Sequence, residues 1–119
     1  MPVQLEAHPS GEWLFASTNL DGLIAYAVNE DGSLTYTAGA YLGPGAPHPI
    51  SLSSDGETIY CGGTGPNSLR AFSFDASDGS LAQVGDAISG PPVHELALSN
   101  DDSRLVTLDK DTMLSLIHI

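Results

Sequence analysis

A turn motif recurs three times along the chain at nearly constant spacing. His8-Pro9-Ser10-Gly11 leads into Glu12-Trp13-Leu14-Phe15, Ser53-Ser54-Asp55-Gly56 into Glu57-Thr58-Ile59-Tyr60, and Ser99-Asn100-Asp101-Asp102 into Ser103-Arg104-Leu105-Val106. The turn positions Gly11, Gly56 and Asp102 are 45 and 46 residues apart. A second landmark alternates with the first: Asp31-Gly32-Ser33-Leu34 matches Asp78-Gly79-Ser80-Leu81, with the glycines 47 residues apart. Polar, glycine-bearing turns between short apolar or alternating runs are the signature of β-hairpins. Strands are expected at Val3 to Ala7, Trp13 to Ala16, Leu23 to Val28 and Thr35 to Ala40. The second unit repeats them at Ile50 to Ser53, Thr58 to Cys61, Leu69 to Phe74 and Ala82 to Ala87, and the third begins with Val93 to Leu98 and Arg104 to Thr107. No stretch holds a helical period, and 13 glycines and 8 prolines interrupt the chain too often for one.

A repeat of roughly 40–50 residues carrying four antiparallel strands is a propeller blade. One four-stranded sheet cannot cover both of its apolar faces, so blades stack face to face around an axis. The expected fold is therefore all-β: a β-propeller fragment of about two and a half blades, with units at about 5–49, 50–93 and an incomplete 94–113. The competing arrangement is a self-contained β-sandwich with an accidental repeat. Residues 114–119 match one frame of a transposon end sequence used in sequencing libraries, which marks them as a candidate non-native tail. In register, Met113 to Ile119 also falls where the third strand of the last unit would run.

Charge narrows the range of partners. Fifteen acidic residues against three basic ones give a formal net charge of −12. Such a surface repels phosphate backbones and anionic membranes, so neither nucleic acid nor membrane is expected as a partner. The acids Asp21, Asp31, Asp55, Asp78, Asp101 and Asp102 fall in turns, where Asp bonds its own backbone. Their spacing does not make a calcium loop, and no zinc, nucleophile-elbow or phosphate-loop pattern occurs, so no metal and no cofactor is expected. Cys61 is the only cysteine and reads as a buried strand residue. Trp13, Tyr26, Tyr60, Phe72 and Phe74 read as core between blades, and His8 as a turn residue. The first residues show no basic-apolar leader, and the expected location is cytoplasmic; an extracellular or periplasmic one follows if the true N-terminus is missing.

The turn followed by an aromatic-rich strand, and the strand that ends in Asp-Gly-Ser-Leu, resemble the seven-bladed lactonase propellers. That family includes propeller-type 6-phosphogluconolactonase and the carboxymuconate lactonising enzymes. WD and kelch propellers fit less well: the blade-ending Trp-Asp pair is absent, and Gly62-Gly63 lacks the aromatics that follow a kelch double glycine. The resemblance implies a ring of seven blades, a small lactone as substrate and the remaining blades as partners.

It also directs attention to two histidines. His48 and His94 each precede the turn position by eight residues and so enter the innermost strand of their blades beside the central channel. Family members carry a Gly-Pro-Arg-His type segment there; Gly45-Ala46-Pro47-His48 and Gly90-Pro91-Pro92-Val93-His94 both lack the arginine, which weakens the case for phosphate or carboxylate binding. A neutral imidazole is a suitable base for delivering water to an ester carbonyl. His48 and His94 are the candidate catalytic residues and Glu95 the candidate substrate-binding residue. Neighbours on a strand point to opposite faces, so Glu95 and His94 are not expected to meet. The alternative role for both histidines is to cap the inner strands through backbone bonds to the next blade. The competing function is a non-catalytic propeller serving as an interaction or cell-surface scaffold.

Overall fold

The computed structural model describes residues 2–18, 22–40, 49–62, 69–87, 95–99, 101–108 and 114–118. Every regular element among them is a strand. The first sheet holds β1 (Pro2–Ala7), β2 (Trp13–Thr18), β3 (Gly22–Val28) and β4 (Leu34–Ala40) in chain order, all antiparallel. The second repeats this with β5 (Ile50–Leu52), β6 (Thr58–Gly62), β7 (Leu69–Asp75) and β8 (Ser80–Gln83). The third pairs β9 (Glu95–Leu98), β10 (Arg104–Leu108) and β11 (Leu114–His118). Thus Leu114 to His118 take the third-strand position that their register suggested.

The expected strands are found with one correction; of the expected Val93 to Leu98, Val93 and His94 lie outside the described residues and β9 begins at Glu95. The last strand of the second unit was expected at Ala82 to Ala87, but β8 runs from Ser80 to Gln83. Gly85 adopts φ 67°, a left-handed conformation that a strand cannot continue through.

The first strands of the three sheets lie side by side, β5 between β1 and β9, while β4 and β8 meet on the far side. The sheets therefore stack face to face, and the core fills the space between the first two. Phe15, Leu23 and Ala25 from one sheet meet Ile59, Cys61, Phe72 and Phe74 from the other, all buried. Phe74 sits edge-on to Phe15 at 4.8 Å and to Trp13 at 5.1 Å between ring centroids, geometry that complements the ring quadrupoles. Burial in this apolar layer pushes the Cys61 thiol well above its ordinary range, so it is protonated and inert.

The other face of the first sheet is buried at Ala16 and Ile24 and exposed towards its margins. Leu5, Leu34 and Tyr36 are exposed there, with Tyr36 set edge-on to Tyr26. The second sheet turns Tyr60 towards the third, where Leu105 is fully buried. Burial, and after it the charges of Asp102 and Asp55, raise the Tyr60 hydroxyl above its usual pKa.

Candidate functional site

Each first strand has one edge paired to the second strand of its own sheet and, among the described residues, no strand hydrogen-bonded to its other edge. In β5 the pairing alternates regularly. Gly62 N–H donates to Pro49 O at 2.8 Å and Ser53 N–H to Thr58 O at 2.9 Å. Ile50, opposite Cys61, falls between such bonded pairs. Its N–H and C=O therefore point to the unpaired edge.

A side chain meets them. Gln4 of β1 donates from Nε2 to Ile50 O at 2.8 Å and accepts the Ile50 N–H on Oε1 at 3.1 Å. Its remaining amide hydrogen goes to Glu6 Oε1 at 2.9 Å. Gln4 thus supplies Ile50 with the bonds a neighbouring strand would give. Next to it the register of β1 slips between Pro2 and Gln4, a bulge that ends regular pairing at this end of the sheet.

The three first strands start at this same end. His48 stands two residues ahead of β5; His48 and His94 both lie outside the described residues. Glu95 opens β9 opposite Leu108, and this is the register position that Gln4 holds opposite Ser17 in β1. The repeat thus brings Gln4, Pro49 and Glu95 to equivalent places.

The other end of the sheets carries the repeated turns. Between the first two blades these enclose a cleft of about 510 Å³ lined by His8, Asp55, Glu57, Thr58, Ser73 and Asp75 among others. His8 Nδ1 accepts the Ser10 N–H at 3.1 Å and lies 2.9 Å from Ser10 Oγ, while its ring tilts against Phe74 at 5.6 Å. In the second turn the same work falls to a serine and an aspartate: Ser53 Oγ donates to Asp55 Oδ1 at 2.6 Å, and Glu57 N–H donates to the same oxygen at 2.9 Å. The third turn repeats it, with Ser99 and Ser103 hydroxyls donating to Asp101 Oδ1 at 2.7 Å each. Those bonds hold Asp101 down to a pKa of about 2, the Ser103 hydroxyl being the largest cause. Asp55 is lowered chiefly by the Ser53 hydroxyl, and Asp31 and Asp75 chiefly by Ser33 and Ser77. Asp31, Asp55, Asp75 and Asp101 are thereby occupied within their own turns; Asp102, expected to do the same, instead reaches Ser54 of the preceding repeated turn, and Asp21 lies outside the described residues. Among the described residues no group of three or more His, Cys, Asp or Glu could hold a metal ion.

Antiparallel sheets whose first strands gather on one side and whose fourth strands meet on the other define a sector of a β-propeller. The sequence matches the family described as lactonase, 7-bladed β-propeller, over residues 2–110. The chain belongs to that family. A provisionally assigned 6-phosphogluconolactonase from Bacteroides uniformis superposes with a TM-score of 0.84 at 23% identity, over 98% of this chain and 36% of its own. A second provisional 6-phosphogluconolactonase, from Bacteroides fragilis, gives 0.84 at 21%, over 98% and 34%. The periplasmic gluconolactonase PpgL of Pseudomonas aeruginosa gives 0.83 at 22%, over 98% and 35%. The chain therefore spans about a third of the length of these structures. No curated protein sequence matches it. Among the described residues no helix is long and apolar enough to cross a membrane.

Proposed function

We propose that the ring to which this chain contributes hydrolyses a sugar lactone in its central channel, with His48 and His94 as the proton-handling residues. The observation that carries this is the family match across residues 2–110. The repeat supports the assignment of residues, since each histidine stands, in sequence, one residue ahead of the position equivalent to Gln4. In the reaction, water adds to the lactone carbonyl carbon while an imidazole takes its proton. The ring C–O bond then breaks, and the same proton passes to the departing oxygen, leaving the open-chain hydroxy acid. Glu95 is assigned to binding the sugar hydroxyls, which a carboxylate can accept bonds from. The missing arginines and the net charge of −12 favour an uncharged lactone over a phosphorylated one. A cytoplasmic setting completes the reading, and cell fractionation checks it.

The test is hydrolysis of gluconolactone and of 6-phosphogluconolactone by the full-length protein, with His48→Ala and His94→Ala beside it. Turnover lost by about 10²-fold or more in either variant, with thermal stability retained, supports the assignment. Unchanged turnover in both removes the histidines from the mechanism. A folded full-length ring with no lactonase activity favours the interaction scaffold instead.

A further inference from the structure

We infer that the partly exposed face of the first sheet is the seat of a further blade of the same ring, and that this blade sets bulky side chains over Gly11 and Gly32. The inference is independent of the lactonase chemistry. It starts from the junction at which the second sheet receives the first. Two glycines of the second sheet lie there under side chains of the first. A Cβ at Gly56 would strike His8 and Pro9, and one at Gly79 would come within 2.6 Å of Trp13 and 2.8 Å of Thr37. Thr37 Oγ1 also donates to Gly79 O at 2.9 Å. On the same face Ile59, Cys61, Phe72 and Phe74 are buried against the first sheet.

The first sheet carries a copy of this receiving face on its other side. Gly11 and Gly32 hold the positions of Gly56 and Gly79 in the repeat. Their backbones are left-handed in the same way, with φ 77° and 87° against 75° and 77°. Leu14 pairs with Tyr26 as Ile59 pairs with Phe72, and Val28 with Leu34 as Phe74 with Leu81. Yet among the described residues nothing lies within 4 Å of a Cβ at Gly11 or Gly32. Leu14, Tyr26 and Val28 are only half-buried, and Leu34 is 47% exposed. The surface that is closed in the second sheet is therefore open at these positions in the first. The chain holds three sheets of a seven-bladed family, and a sheet of the same kind is the partner this face matches.

Glycine at position 11 indicates which kind of turn that partner brings. At the second junction the position of Gly56 is taken by Asp102, whose carboxylate reaches Ser54. A preceding turn with a small hydroxyl thus leaves room for an acid, and Asp tolerates positive φ. A turn like that of His8 and Pro9 leaves room for no side chain, and that is the kind assigned to the blade over Gly11.

The experiment measures the thermal unfolding midpoint of the full-length ring carrying Gly11→Ala, Gly32→Ala, Gly11→Asp or Gly85→Ala. Gly85 has φ 67°, stands exposed beyond β8 and has nothing within 4 Å of a Cβ, so its alanine variant reads the cost of positive φ alone. Gly11→Ala and Gly32→Ala are each expected to lower the midpoint at least about twice as far, because the added methyl also meets the neighbouring blade. A loss at either position no greater than that of Gly85→Ala overturns the seat. Gly11→Asp is expected to lower the midpoint further than Gly11→Ala. If aspartate is instead the better tolerated of the two, the turn over Gly11 is of the hydroxyl kind and the bulky neighbour is overturned. A full-length protein that is dimeric and becomes monomeric in Gly11→Asp puts a second copy on this face and overturns the further blade.

Discussion

The two blade junctions are built at the same position of the repeat and with opposite chemistry. At the first, Gly56 (φ 75°) lies under His8 and Pro9 so closely that a Cβ would strike the imidazole. At the second, the equivalent Asp102 (φ 62°) carries a side chain, and its carboxylate takes the Ser54 N–H at 3.1 Å and the Ser54 hydroxyl at 2.5 Å. The backbone conformation is thus common to both, and the neighbour decides what the residue can be. Where the preceding turn presents a bulky ring, the position must be empty; where it presents a small hydroxyl, an acid fills the gap. The left-handed conformation is unusual for a residue with a Cβ, and Asp is among the few that tolerate it. Packing differs in the same direction. The first junction rests on the ring cluster of Trp13, Phe15 and Phe74 and is pinned on the outside by Thr37 Oγ1, which donates to Gly79 O at 2.9 Å.

This contrast orders the expected effects of substitution, each read by thermal or denaturant unfolding of the full-length ring. Phe74→Ala removes the ring that His8, Trp13 and Phe15 share and should cost about 3–5 kcal/mol; a loss below about 1 kcal/mol would show that the first junction does not rest on aromatic packing. Gly56→Ala adds a methyl group at positive φ against His8 and should cost about 2–3 kcal/mol. Pairing it with His8→Ala should recover part of that loss, since the obstruction is then gone; strict additivity would refute the steric account. Asp102→Ala should cost about 1–2 kcal/mol through the lost Ser54 bonds. Asp102→Gly should cost less, because glycine relieves the backbone. The reverse order would mean that the φ of Asp102 carries no strain.

The smallest effect is acid sensitivity. The Asp101 carboxyl titrates at about 2 in the folded chain, below its ordinary 3.8. A group depressed on folding contributes stability above its unfolded pKa, and that contribution fades as pH falls. The loss should therefore fall between about pH 4 and pH 2, and Ser103→Ala should shrink it; an unfolding midpoint flat across that window would contradict the turn bonds.

Much of this was legible in the chain. The turn glycines gave the period, and alternating runs gave the strands, because strand pairing within a blade is local and leaves its register in the spacing. The end of β8 was misplaced because Ala82 to Ala87 has the composition of a strand, and only the conformation of Gly85 breaks it. The roles of His8 and Gln4 were not legible. His8 reads as an ordinary turn residue until the second blade brings Phe74 to it. Gln4 bonds a backbone 46 residues away, and a peptide group has no sequence signature. The one available hint was periodic: polar residues recur at Gln4 and Glu95, equivalent positions of two first strands. Of the site itself, Glu95 is placed at the start of β9, while the positions of His48 and His94 were deduced from the repeat alone.

The second turn holds both halves of the junction within three residues, since Ser54 faces the blade that follows and Gly56 the one before. A module arranged in this way meets its two neighbours by different means, a donor towards the blade that follows and an empty position towards the one before. Two copies of it set side by side would bring Ser54 against a glycine and not an acid, so each joint is fitted to its own pair of blades.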